Sequence, residues 1–128
     1  MTMSSEIADT LQKEAATIVS LLQRCPLPLR DEKKLQEAIS TALTEAGIPH
    51  KREHHLSGSD IVDFIFPSGL VMEVKIKAPK RAIYRQCQRY CKHDAVKGLI
   101  LATATATGFP PDINERPCWV VSLGMGWL

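Results

Sequence analysis

The sequence predicts an α/β domain with the element order helix, helix, strand, strand, strand, helix, strand, strand. Three observations carry this. Ser59–Ala78 (SDIVDFIFPSGLVMEVKIKA) reads as two strands, Ile61–Phe66 and Leu70–Ile76, joined by a turn over Pro67-Ser68-Gly69. β-branched and aromatic residues crowd both runs, and Pro and Gly punctuate them. Gly98–Ala104 (GLILATA) is a near-continuous apolar run, as expected of a central strand covered on both faces. Apolar residues recur at helical spacing over Ser4–Arg24 and again over Asp31–Ala46.

In the first helix the apolar positions are Ile7, Leu11, Ala15, Ile18, Val19 and Leu22. Ser4 or Ser5 can cap it, Glu6 and Asp9 suit its first turn, and it must stop before Pro26. Cys25-Pro26-Leu27-Pro28-Leu29 then reads as a stiff linker. Residues 1–30 are therefore a helix with its linker, and residues 31–128 the domain proper. The helix can pack on that domain or pair with a second copy in a homodimer; the sequence leaves both open.

Asp31 can cap the second helix and Gly47 can stop it. Its buried stripe is Leu35, Ala38, Ile39, Ala42, Leu43 and Ala46. Ile48–Leu56 reads as a strand, followed by a Ser57-Gly58-Ser59 turn. Its adjacent His54 and His55 point to opposite sides, and surface or nucleic-acid-backbone contact is their expected role. Arg81–His93 is the third helix, with Ala82, Ile83, Gln86, Cys87 and Tyr90 on one face and Arg81, Arg85, Arg89 and Lys92 on another. Thr105–Pro117 reads as a loop, Cys118–Leu123 as the last strand, and Trp127 as a docked side chain.

The polar face of the hairpin carries the chemistry. Centred on Ser68, the antiparallel pairing sets Phe66 against Leu70 and Asp63 against Glu73. Alternation then collects Val62, Phe64, Phe66, Leu70, Met72, Val74 and Ile76 on one face. Ile61, Asp63, Ile65, Val71, Glu73 and Lys75 fall on the other. Carboxylates directly across a ladder sit roughly 5 Å apart at Cβ and repel. A divalent cation between them reverses the sign, since Mg²⁺ is held by one or two carboxylates plus phosphate oxygens. With the Lys75 ammonium beside it, such a site is equipped for phosphodiester hydrolysis. Asp60 faces the apolar side at the open end of the strand and is expected to be a turn residue.

The chain of 128 residues is 45% hydrophobic and 23% charged, enough for one ordinary soluble domain with a real core. No apolar run approaches the roughly 20 residues of a membrane span, and no signal peptide is read, so a cytoplasmic protein is expected. Cys25, Cys87, Cys91 and Cys118 form no CxxC pair and read as reduced thiols; a zinc site with His93 is the minor reading. The net charge of +2 hides an uneven distribution. Lys75, Lys77, Lys80, Arg81, Arg85, Arg89, Lys92 and Lys97 cluster in one segment, opposed there only by Glu73 and Asp94. A basic segment beside a candidate metal site suggests a polyanion partner.

Asp63 followed by Glu73-Val74-Lys75 resembles the PD-(D/E)xK nuclease superfamily. Gln86-Cys87-Gln88-Arg89-Tyr90 resembles the Q-xxx-Y motif of its RecB-type branch. Val62 stands where the strict pattern has proline. The resemblance covers residues from Asp31 onward. It implies a restriction-endonuclease-like αβββαβ core, with a central mixed sheet flanked by helices and an extra N-terminal helix outside it. It implies a magnesium- or manganese-dependent deoxyribonuclease, with RNA as the open alternative substrate. Asp63, Glu73 and the Val74 carbonyl would hold the metal, and Lys75 would orient water or stabilise the transition state. Gln86 and Tyr90 would position the phosphate or the attacking water. Family members also place a glutamate on the second helix. Glu32 lies on the flank of the apolar stripe and Glu37 nearly opposite it, so Glu32 is the expected ligand. Lys77, Lys80, Arg81, Arg85 and Arg89 would neutralise backbone phosphates without reading bases. A stand-alone, dimeric Holliday-junction-resolvase-like enzyme, a phage or mobile-element component, and a non-catalytic binding module are the competing expectations.

Overall fold

A computed structural model describes residues 4–105 and 108–124. The chain runs α1 (Ser5–Arg24), α2 (Glu32–Glu45), β1 (Lys51–Ser57), β2 (Asp60–Ile65), β3 (Leu70–Lys75), α3 (Lys80–Tyr90), β4 (Gly98–Thr103), β5 (Asp112–Ile113) and β6 (Arg116–Ser122). Local chemistry sets the boundaries. The Ser4 side chain accepts the Ile7 N–H and caps α1, and Asp31 accepts the Lys34 N–H and caps α2. Gly47 leaves α2 at φ +73°, the left-handed conformation that glycine adopts without strain. Between β2 and β3, Phe66 donates to the Leu70 carbonyl and accepts from the Gly69 N–H. Gly69 sits at φ +93°, and a Cβ there would lie 2.6 Å from the Lys97 side chain and 2.9 Å from the Ala95 carbonyl.

The fold is α/β, a six-stranded mixed sheet in the order β1-β2-β3-β4-β6-β5. β1, β2 and β3 pair antiparallel; β3, β4 and β6 pair parallel; β5 adds antiparallel to β6. β4 lies at the centre with all six residues buried, which is why its sequence is apolar without alternation. α1 and α2 cover one face, packing Leu11, Ile18, Leu22, Leu35, Ile39 and Leu43 on Phe64, Leu70, Met72, Val74 and Ile100. α3 covers the other, packing Ile83, Cys87 and Tyr90 on Val71, Leu99 and Leu101.

α1 thus belongs to the main core. It is tied further by the Ser68 hydroxyl, which donates to Glu14, and by the Trp119 indole N–H, which donates to the Gln12 amide oxygen at 3.3 Å. Three expectations need correction. The third helix ends at Tyr90 rather than His93, and Ala82 is exposed rather than on its buried face. The expected loop Thr105–Pro117 contains β5 and the start of β6. A two-residue strand carries too little pattern to be read from sequence. The docked Trp127 falls outside the described residues. All four cysteines are free thiols. Among the described residues, no helix is long and apolar enough to cross a membrane.

Candidate active site

The hairpin register is the one the sequence implies. Phe64 pairs with Met72 and Ile65 with Val71, so the same count brings Asp63 opposite Glu73. There the regular ladder stops. Phe66 and Phe64 bond toward β3, so the next rung should join Val62 to Val74, and Asp63 should turn its N–H to β1. Instead the Val74 N–H donates to Asp63 Oδ2 at 2.8 Å, and the Asp63 N–H points to Glu73 Oε1 at 3.4 Å. A carboxylate has taken the place of a backbone carbonyl, and the pairing of β2 with β3 ends there, while its register with β1 continues.

Two observations agree that the regular strand is broken at this point. Val62 packs with Val71, Ile83 and Tyr90 under α3, not beside Phe64 under α1 and α2 as strict alternation predicts. On β1, Arg52 pairs with Phe64 and His54 with Val62, and the residue between them, Glu53, sits at φ +48°. A non-glycine residue in the left-handed region within a strand is strained, and such strain collects where a strand is re-aimed. β2 and β3 therefore form a fork, and Asp63 and Glu73 stand in it.

The fork lies at the carboxyl ends of the parallel strands: Lys75 pairs with Thr103 of β4, and Thr103 with Ser122 of β6. That edge is where open α/β sheets bind ligands. Glu73 is 2% exposed, and its carboxyl is pushed up to about 8, by burial first and by the Asp63 charge second. Burial also raises the Asp63 carboxyl, opposed by the Val74 hydrogen bond and the Lys75 charge. Lys75 Nζ stands 3.3 Å from Glu73 Oε2, so the ammonium offsets part of the repulsion. Glu32 reaches the fork from the first turn of α2, where its Oε2 lies 3.4 Å from the Ile76 N–H. Glu37 is exposed and lines a different hollow with Ser40, Thr44 and Arg52.

The donor set is all oxygen: the buried Glu73 carboxylate, the half-buried Asp63 carboxylate, a third at the rim, and neighbouring backbone carbonyls. Its chemistry fits a hard divalent cation that keeps several waters. The third carboxylate is not gathered with the pair. Among the described residues, no three His, Cys, Asp or Glu side chains converge on one point. That also leaves the zinc reading of Cys87, Cys91 and His93 without a site.

Tyr90 is buried, and its hydroxyl donates to the Ile61 carbonyl at 2.8 Å, so it is occupied by the strand. Burial and then the charge of Glu73 raise its hydroxyl above the ordinary range. Gln86 is half-buried one turn earlier on the helix. Lys77, Lys80, Arg81 and Arg85 are exposed along the β3–α3 connection and the start of α3. Arg89 differs from them: its Nε donates to Asp60 Oδ1 at 3.2 Å. Asp60 is accordingly no turn residue but the first residue of β2, and its other oxygen accepts from His93 Nε2 at 2.9 Å. The His93 hydrogen bond, ahead of Arg89, holds the Asp60 carboxyl below its usual range. Sequence reasoning missed this cluster, because its members are 29 and 33 positions apart. His54 and His55 lie opposite Val62 and Ile61 on β1.

Comparison with protein-family models, with curated proteins and with solved structures yields no match to this chain.

Proposed function

We propose that this protein is a metal-dependent nuclease of restriction-endonuclease-like fold, hydrolysing phosphodiester bonds in nucleic acid, DNA foremost, with little sequence specificity. One observation carries the reading: a buried carboxylate, Glu73, and a half-buried one, Asp63, face each other with Lys75 in a fork at the carboxyl edge of the sheet. Such a pair is costly unless paired with positive charge, and one ammonium offsets one carboxylate only.

Asp63, Glu73 and the Val74 carbonyl would hold Mg²⁺ or Mn²⁺, with Glu32 at the rim. The cation supplies Lewis acidity toward the scissile phosphate and eases deprotonation of the attacking water. Lys75 donates hydrogen bonds to that water or to the phosphate oxygens as negative charge builds on them. Gln86 lies within the same helix turn as the buried wall of the site and would position the phosphate. Tyr90 supports the wall through Ile61. Lys77, Lys80, Arg81 and Arg85 offer a sequence-independent electrostatic track that leads to the fork.

A second reading has its own observation. The Lys75–Glu73 ion pair at 3.3 Å makes the acidic pair partly tolerable without a cation, as a non-catalytic nucleic-acid-binding module would need. Labelled linear, single-stranded, branched and circular DNA, incubated with Mg²⁺ or with chelator, separates the two. The nuclease reading expects cleavage by the wild type with metal and none by Glu73→Ala. Binding without cleavage by both proteins on every substrate overturns it in favour of the module.

A further inference from the structure

Side chains at the end of α3 and just beyond it bond to the start of β2. Ile61 keeps its pairing with His55 on β1, and its carbonyl has a second lone pair to offer. That carbonyl accepts from the Tyr90 hydroxyl at 2.8 Å. One residue earlier, both oxygens of Asp60 are engaged, one by Arg89 of α3 at 3.2 Å and one by His93, beyond the helix end, at 2.9 Å. A carboxylate only accepts, so His93 Nε2 carries the proton, and its Nδ1 lies 3.4 Å from the Ser57 hydroxyl. Three hydrogen bonds, two from the end of α3 and one from His93 just beyond it, thus grip the two residues of β2 just before Val62 and Asp63.

We infer that Arg89, Tyr90 and His93 are positioning residues: by clamping Asp60 and Ile61 they hold the start of β2, keep the fork open, and aim the Asp63 carboxylate at Val74 and the cation site. Without the clamp, the start of β2 is free to shift, the Asp63 carboxylate leaves the Val74 N–H, and that amide opens to solvent. Glu53, opposite Asp63 on β1, sits in the left-handed region, so strain gathers at the same point of the sheet. The clamp holds the Arg89 Nε on Asp60, so Arg89 should contribute less to a polyanion than its neighbours in the basic stripe.

The clamp itself is independent of chemistry, whereas its consequence for a cation rests on the nuclease reading, so the test has two arms. Tyr90→Phe and His93→Ala are compared with wild type and with His93→Gln, whose amide can still donate to Asp60. In the first arm, amide hydrogen exchange is followed in metal-free protein. The Val74 amide should exchange at least about tenfold faster in Tyr90→Phe and His93→Ala, while Ile100 of the central strand changes much less, and His93→Gln restores most of the protection. A merely structural loss would quicken Ile100 in step with Val74, and that result, or unchanged Val74 exchange, overturns the clamp. Should His93→Ala fail to fold, Tyr90→Phe against His93→Gln carries the same comparison. In the second arm, Mn²⁺ affinity should fall about tenfold in Tyr90→Phe, as when a supporting partner of a metal ligand is removed. Unaltered affinity with altered Val74 exchange limits the clamp to the fold and overturns its role at the site. No Mn²⁺ binding by wild type defeats the nuclease reading, while the exchange arm still decides the clamp.

Discussion

The Asp63 carboxylate accepts the backbone N–H of Val74 at 2.8 Å, the rung that the Val62 carbonyl would fill in a regular hairpin. One side chain has taken the place of a backbone acceptor, and with it the strands part. That single exchange brings Asp63, Glu73 and Lys75 together at the edge of the sheet.

The acidity of Glu73 makes stability fall with pH in the metal-free protein. Its carboxyl is raised from 4.5 to about 8 in the fold, so the folded state binds that proton more tightly than the unfolded chain does. The stability this gives is fully present below 4.5 and is lost as pH climbs through the folded value. Asp63, also raised, acts in the same direction. Asp60, held below its usual range, opposes this only in more acid solution. Melting temperature should drop by at least about 5 °C between pH 5 and pH 8. Glu73→Gln should flatten that slope, and Mg²⁺ should reverse part of the loss. A wild-type profile as flat as that of the variant would count against the pairing of Glu73 with Asp63.

The rim carboxylate separates two glutamates on one helix. Glu32 reaches the Ile76 N–H beside the fork, and Glu37 faces water. Glu32→Gln should weaken Mn²⁺ binding about tenfold, and Glu37→Gln should leave it within about twofold of wild type, within the scatter of a surface change. Calorimetric titration of the two variants checks this; equal effects would remove Glu32 from the site.

Much of this is legible in the sequence. Pro67-Ser68-Gly69 fixes the turn, the alternation around it fixes the register, and together they set Asp63 against Glu73. Asp31 and Gly47 mark α2 through their capping chemistry. The unbroken apolar run of β4 follows from burial on both faces. What strict alternation cannot show is its own interruption. Val62 changes faces because Asp63 takes a long-range hydrogen bond, and nothing in the local pattern records it. Asp60, Arg89 and His93 are likewise ordinary polar residues until the fold joins them. Lys75 reads as chemistry alone in the sequence, yet its ion pair with Glu73 also tempers the repulsion that points to the site.

The basic residues should differ in what they contribute. Replacing Lys80, Arg81 and Arg85 together by alanine should weaken DNA binding uniformly across sequences. The slope of log affinity against log salt should fall by about 1 for each phosphate that is no longer neutralised. Arg89→Ala should alter that slope less, because its guanidinium is held by Asp60. Binding measured between about 50 and 300 mM salt decides; a salt-independent affinity would dismiss the track.

α1 should be indispensable to the fold. Ile18 is fully buried among residues of α2 and the sheet, so Ile18→Ala should cost about 2–4 kcal/mol in urea denaturation. A loss below about 0.5 kcal/mol, the level of a surface substitution, would mean that α1 is only loosely attached.

The most direct measurement of the central claim is a calorimetric titration of Mn²⁺ into the metal-free protein, beside Asp63→Ala and Glu73→Ala. The fork predicts saturable binding by the wild type, with proton release as Glu73 gives up its hydrogen, and its disappearance in both variants. Absence of saturable binding by the wild type, or binding that survives the loss of either carboxylate, would contradict it.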